Sequence, residues 1–370
     1  MILQCNPKAS YLTRKNEIDG AVKRVLESGW YILGDEVDSF EREFAAYIDV
    51  SHAIGVASGT DALELAIRAG GIEGDDIVVT VSHTAVATAA AISRAGVNPL
   101  FTEIDPQYFT MDPGRLRDLL KSKHGENVKA IIVVHLYGQL ADMPSILDIA
   151  SEYDLIVIED CAQAHGAQLH GKQAGAWGHF GCFSFYPTKN LGGVGDGGCI
   201  TVNDESLASK VKLLREYGWR ERYISDLKGT NSRLDELQAA ILRAKLPCLD
   251  NDNQRRREIA GIYETGLAGT GLSLPKNRQG STHVYHQYVV RSDMREQIRC
   301  QLNKRGIGTL VHYPVPIHRQ PAFCEERYTP IPLSLTEETA AQVFSLPIYP
   351  ELSNDEVIAV IDSINAIKIG

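Results

Sequence analysis

The sequence predicts an α/β fold, with a large, open, mostly parallel sheet wound by helices and a smaller α+β unit behind it. Three observations carry this. Short apolar runs recur through the first two hundred or so residues, several of them unbroken, as in Ala130–Val134 (AIIVV) and Leu155–Asp160 (LIVIED). Strands buried on both faces read as continuous apolar runs, whereas half-exposed strands alternate. Segments of helical period separate the runs, and strict strand–helix alternation is the pattern of a wound sheet. Finally, the composition changes after about Leu246, where charged helical segments flank KLPCLDNDN.

Two amphipathic helices come first, over Asn16–Ser28 and Glu36–Asp49, joined by GWYILGDE. Strands are predicted at His52–Ala57, Ile77–Val81, Pro99–Thr102, Ala130–Val134, Leu155–Glu159, Gly181–Phe185 and Gly198–Val202. Helices are predicted between them at Asp61–Ala69, Ala85–Arg94, Pro113–Leu120, Pro144–Glu152 and Asp204–Tyr217. Pro247 limits the helix before it, and we divide the chain into a large domain (residues 1–246) and a small one (247–370). The small domain is expected to hold a strand at His286–Val290 and helices near Arg295–Arg305 and Asn354–Ala366.

At 370 residues the chain can bury a large core without disulfides or metal. Its formal net charge of -10 argues against nucleic acid, which needs phosphate-neutralising cations, although a local pocket can still take a small anion. The seven cysteines are odd in number and have no C-x-x-C spacing, so a disulfide framework is not expected. The opening MILQCNPKAS lacks the pattern of a signal peptide, and no long uncharged apolar stretch would span a membrane. The expectation is a cytoplasmic, soluble protein.

Four stretches carry chemistry. In FSFYPTKNLGGVGDGG (Phe183–Gly198), Lys189 follows a strand and a Tyr-Pro-Thr turn and precedes a glycine-rich run. A Schiff-base lysine must approach a flat cofactor closely, and glycines permit that approach. A surface lysine in an ordinary turn reads equally well. In IEDCAQAHGA (Ile158–Ala167), Asp160 ends a strand, at the edge where open α/β sheets bind ligands. There it could pair with a protonated pyridine nitrogen, and Gln163 could donate to a phenolic oxygen; a helix cap is the local alternative. In VASGTDALELAIRAG (Val56–Gly70), a strand runs through Ser58-Gly59-Thr60 into a helix, whose free N–H groups suit a phosphate. Many capped helices bind nothing. In VSHTAVATAAAI (Val81–Ile92), His83 could stack on a planar ring, or could simply be a core or capping residue. What raises these signals is their order and their common edge: all fall at predicted strand ends or in loops on one side of the sheet.

With these motifs in view, the chain resembles the sugar-nucleotide aminotransferases of the DegT/StrS type. These have the aspartate-aminotransferase fold (fold type I) of pyridoxal-phosphate (PLP) enzymes. The resemblance runs from GWYILGDEVDSFE to HYPVPIHRQPAF, and ASGTDAL, EDCAQAHGA and FSFYPTKNLGG are its most specific parts. It implies that Lys189 holds PLP as a Schiff base, that Asp160 partners the pyridine nitrogen, and that Gln163 partners the phenolic oxygen. It implies phosphate contacts from Ser184, Gly59 and Thr60, and a stacking position at His83. Asn231, in GTNSRLDELQAA, resembles an asparagine that reaches the phosphate from a neighbouring subunit, which implies a homodimer. VSHTAVATAAAI, GDGGCITV and NSRLDELQAAILRAKLPCLD look most like enzymes that aminate C3 of dTDP-3-keto-6-deoxyhexoses, with L-glutamate as donor.

Substrate contacts are expected from Tyr217, Arg220 and Arg222 in REYGWRERY, and from Tyr31, Tyr186, His312, Tyr313 and His318. A solvated basic loop and a merely packed Pro-stiffened segment are the alternatives. Action at C4 is the neighbouring reading. A PLP-dependent sugar dehydratase would carry histidine in place of Lys189. A non-catalytic PLP regulator would be free to lose the site residues. A dinucleotide-binding oxidoreductase would want G-x-G-x-x-G after the first strand, where Ser58-Gly59-Thr60 stands instead.

Overall fold

The structure, a computed structural model, describes residues 1–367. Seven strands form the central sheet: β1 (His52–Val56), β2 (Ile77–Val81), β3 (Asn98–Thr102), β4 (Val128–Val134), β5 (Ile156–Asp160), β6 (Phe180–Ser184) and β7 (Gly198–Val202). Their spatial order is β1-β7-β6-β5-β4-β2-β3, and β7 alone runs antiparallel to its neighbours. The continuous apolar runs are therefore strands covered on both faces, as predicted. In β5, Val157 enters the core on one face with Phe44, Phe183 and Phe185. Its neighbour Ile158 enters the other with Ile54, Leu65 and Phe180. The shared strand direction brings the C-terminal ends of β1, β2, β4, β5 and β6 to one edge, joined there by the start of β7. In open α/β sheets that edge is where ligands bind.

Each strand end feeds a segment that matters below. β1 leads through the N-cap Ser58, whose side chain accepts from the Asp61 amide, into the helix Gly59–Ala69. β2 leads into the helix Val86–Arg94, and β4 into a tight turn at Leu136–Gly138.

The C-terminal unit pairs Tyr288–Arg291 with Val343–Leu346 in an antiparallel ribbon. The helices Leu249–Gly266, Arg295–Lys304 and Asn354–Asn365 pack on it around Tyr263, Tyr288, Phe344 and Ile364. The N-terminal residues cross the division drawn at 246. Ile2 bridges to Ile307, and the Ile348 amide donates to the Gln4 carbonyl at 3.2 Å. One or two paired residues carry no periodicity, so no sequence pattern marks this return.

Among the element ends that differ from expectation, two do so for local reasons that bear on the site. The helix predicted to reach Tyr217 stops at Arg215. Tyr217 and Gly218 take left-handed backbone (φ 57° and 76°), and the chain turns into an exposed hairpin, Trp219–Glu221 with Ile224–Ser225. The strand predicted from His286 begins at Tyr288, which leaves His286 and Gln287 at the mouth of a cleft.

Candidate active site

The cleft lies at the strand-end edge, between the sheet and the C-terminal unit, with a volume of about 310 Å³. Gly59, Thr60, Asp160, Gln163, Ser184, Tyr186, Lys189, His312 and Tyr313 all line it. Residues from β1, β5 and β6 thus converge with the Pro-stiffened segment of the C-terminal unit.

At one end the start of the Gly59–Ala69 helix packs against Ser184. The approach is so close that a Cβ added to Gly59 would stand 2.6 Å from the Ser184 Cβ. Gly198 is just as confined, since a Cβ there would reach the Ser58 carbonyl at 2.4 Å. The first-turn carboxylate of Asp61 would repel an anion, but it is already engaged. It accepts from the Ser232 hydroxyl at 2.8 Å and pairs with Arg94 at 2.9 Å. Helix amides plus a hydroxyl make a phosphate cradle.

At the other end Asp160 is buried and held by two donors. The Thr88 hydroxyl donates to Oδ2 at 2.8 Å and the Ala162 amide to Oδ1 at 3.2 Å. Burial raises its pKa, against the Thr88 and Ala162 hydrogen bonds and the Lys189 charge. Lys189 behaves in the opposite sense. Burial lowers its pKa to about 8, with Asp160 opposing. An amine poised near neutrality beside a carboxylate is suited to nucleophilic attack and proton transfer. Gln163 accepts the Tyr137 amide at Oε1 (2.8 Å) and donates from Nε2 to the Tyr313 hydroxyl (3.1 Å). Burial lowers the His312 pKa to about 4 and raises that of Tyr313 to about 12, so both are neutral over the working range.

Several expected residues lie elsewhere. His83 does not face the cleft: it is buried behind it, tilted against Phe109, with Nε2 2.9 Å from the Tyr137 hydroxyl. The β2 junction offers the cleft Thr84, Ala85 and Ala87 instead. The register is one-sided here, and spacing alone did not give it. His318 is also spent on structure. Its Nδ1 bonds the Ser82 hydroxyl (2.7 Å) and its Nε2 bonds Glu337 (3.0 Å). Tyr31, Tyr217, Arg220, Arg222 and Asn231 lie outside this chain's cleft on exposed surface. There Arg220 pairs with Asp226 and Arg222 sits over the Tyr223 ring.

Conversely, Thr88, Tyr137 and His286 were not singled out from the sequence. Thr88 lies within the quoted VSHTAVATAAAI stretch. Tyr137 and His286 carry no spacing signal, because loop geometry brings them in.

A helix start for an anionic group, a strand-end carboxylate for a ring nitrogen and a buried, near-neutral lysine define a PLP enzyme of the aspartate-aminotransferase fold. Comparison with known proteins agrees. Residues 13–365 match the DegT/DnrJ/EryC1/StrS aminotransferase family, and the chain belongs to it. It is 49% identical over 351 residues to a dTDP-3-amino-3,6-dideoxy-alpha-D-galactopyranose transaminase of Aneurinibacillus thermoaerophilus, covering 95% of each chain. It is 44% identical over 358 residues to a dTDP-3-amino-3,4,6-trideoxy-alpha-D-glucose transaminase of Streptomyces venezuelae, covering 96% of this chain and 93% of that one. The crystal structure of DesV from S. venezuelae, in complex with a ketimine intermediate, superposes with a TM-score of 0.95 at 43% identity. That match covers 99% of this chain and 98% of the other.

Proposed function

We propose that the chain is a PLP-dependent transaminase that places an amino group on C3 of a dTDP-3-keto-6-deoxyhexose, with L-glutamate as the amino donor. The observation that carries the reading is the convergence of Lys189, Asp160, Gln163, Ser184 and the Gly59-Thr60 helix start in one cleft. The two relatives named above as dTDP-3-amino-sugar transaminases support C3 over C4.

PLP supplies an electron sink for charge that develops on the substrate carbon. The residues supply the rest. Gly59, Thr60 and Ser184 hold the phosphate, and Gln163 donates to the phenolic oxygen. Asp160 keeps the ring nitrogen protonated, and Thr88 aims its carboxylate. Lys189 anchors the cofactor. Its Nζ, when free of the cofactor, would be the group placed to carry a proton to and from the substrate carbon. In the cofactor-free site burial already lowers the Lys189 pKa to about 8, so its amine gives up a proton more readily than an exposed lysine. Amino donor and keto-sugar take the site in turn, so double-displacement kinetics follow.

The active unit of this reading is a homodimer. Trp30, Tyr31 and Ile32 are exposed in succession, as are Tyr223 and Ile224, and runs of exposed apolar side chains of this kind support a surface that meets a partner. Asn231, Tyr31, Tyr217, Arg220 and Arg222 would then serve the neighbouring cleft. Among the described residues no helix is long and apolar enough to cross a membrane.

The test is direct. The protein is incubated with glutamate and either a 3-keto or a 4-keto dTDP-sugar, and the products are separated. Amination of the 3-keto sugar is expected. Amination of only the 4-keto sugar would move the position, and inactivity on both would overturn the substrate class.

A further inference from the structure

The turn after β4 is built around Tyr137. This residue takes left-handed backbone (φ 62°, ψ −2°) inside Leu136–Gly138. That conformation disfavours any residue with a Cβ and persists only where its surroundings hold it. Here they do. The ring is buried, edge-on to His83 and Phe109 at centroid distances of 6.1 and 5.4 Å. The hydroxyl donates to the His312 carbonyl, and so it must accept from His83 Nε2 at 2.9 Å. This assigns His83 as a neutral donor, in keeping with burial lowering its pKa to about 4.

Two links run from Tyr137 into the cleft. Its amide donates to Gln163 Oε1, so the Gln163 NH₂ is the end left to face the cleft and reach Tyr313. Its hydroxyl holds the segment that carries His312 and Tyr313 across from the C-terminal unit. That segment is pinned at one end where the Ser345 amide donates to the Leu310 carbonyl (2.7 Å). At the other end the Ile317 amide donates to the Ser82 carbonyl (3.1 Å). Between them, the His312 ring bonds the Ser345 hydroxyl at 2.8 Å, on its own side, while Tyr137 ties the His312 backbone, and Gln163 the Tyr313 hydroxyl, to the sheet side.

We infer that Tyr137 is a positioning residue for transamination. It sets which end of the Gln163 amide faces the cofactor, and it ties the His312–Tyr313 strap to the sheet. The inference rests on the transaminase reading for its purpose, but the tether itself can be tested without cofactor.

Tyr137→Phe keeps the ring and removes one oxygen. Hydrogen exchange of the amides of residues 310–313, Val315 and Ile317 is measured in PLP-free protein. We expect exchange roughly two- to tenfold faster in the strap, the yield of one lost hydrogen bond, with β4 and β5 amides unchanged. In the PLP-loaded protein the hydroxyl acts on Gln163 through the strap, whose Tyr313 hydroxyl accepts from Gln163 Nε2, so the midpoint pH of the visible absorbance band should shift, and Gln163→Leu should shift it the same way. The double variant should shift no further than Gln163→Leu alone, because coupled residues are non-additive. Unchanged strap exchange overturns the tether, and additive shifts overturn the Gln163 link. A wild-type protein that took up no PLP would sink the transaminase reading, while the exchange result would still judge the tether.

Discussion

Glu159 and Asp160 are adjacent carboxylates at the end of β5, both buried, and they face opposite sides of the sheet. Glu159 is saturated. Its two oxygens accept the amides of Gly175 (3.0 Å), Trp177 (2.7 Å) and Gly178 (2.8 Å), and His135 Nε2 lies at 2.9 Å. Those four donors use the lone-pair sites of a carboxylate, so although His135, Glu159 and Cys161 cluster closely, the cluster is a brace and not a ligand set. Among the described residues Asp160 accepts two donors, and it keeps capacity toward the cleft. The strand's alternation sends one acid into the fold and the other to the cleft. The second is a buried charge whose partner must come from elsewhere.

Substitutions can break this division of labour, and their expected effects fall in size from Lys189 to Thr88. Lys189→Ala should abolish transamination and the borohydride-sensitive visible band, measured by coupled assay and absorbance. Asp160→Asn should lower kcat by about a hundredfold or more, since it removes the charge proposed to keep the ring nitrogen protonated and the electron sink effective. Its melting temperature without cofactor should hold or rise. Burial raises the Asp160 pKa, so its ionised form costs folding energy above the ordinary carboxyl range, and the amide removes that cost. Glu159→Gln should do the reverse, costing about 3 kcal/mol of stability by denaturant titration while leaving the residual enzyme's kcat close to normal. If Glu159→Gln spared stability and killed activity, the division between the two acids would be wrong. Thr88→Val should lower kcat/KM about tenfold by removing one hydrogen bond to the Asp160 carboxylate, with little change in fold.

The last effect is a pH dependence. Burial depresses the Lys189 pKa to about 8 in the PLP-free protein. The folded state therefore sheds its proton before the unfolded chain does, and this group's contribution to stability increases as pH rises above about 8. The rate of covalent PLP capture should climb as pH rises towards and through about 8 and then level off, as stopped-flow absorbance would show. Lys189→Arg should remove both responses.

The sheet was legible because its strands are covered on both faces and its helices keep their period. All seven strands fall within two residues of where their apolar runs place them. Lys189, Asp160, Gln163, Ser184 and Gly59-Thr60 were legible because each sits at or near a strand end, and strand direction sends those ends to one edge. His83 was misplaced because residues one apart at a strand–helix junction face different ways, and sequence spacing does not say which faces the cleft. His318 was misplaced because its partners, Ser82 and Glu337, are far away in sequence. Tyr137 left no trace, since its left-handed turn and its contacts with residues 83, 163 and 312 exist only in the folded chain.

The central claim is that PLP is held on Lys189. Lys245 provides a natural control, because burial also lowers its pKa to about 8, while its ammonium bonds the Gly192 carbonyl outside the cleft. The PLP-loaded protein is reduced with borohydride, digested and sequenced by mass spectrometry. A reduced pyridoxyl group on the peptide carrying Lys189, and none on that carrying Lys245, is the predicted result. An adduct on Lys245, or none on either lysine, would contradict the account.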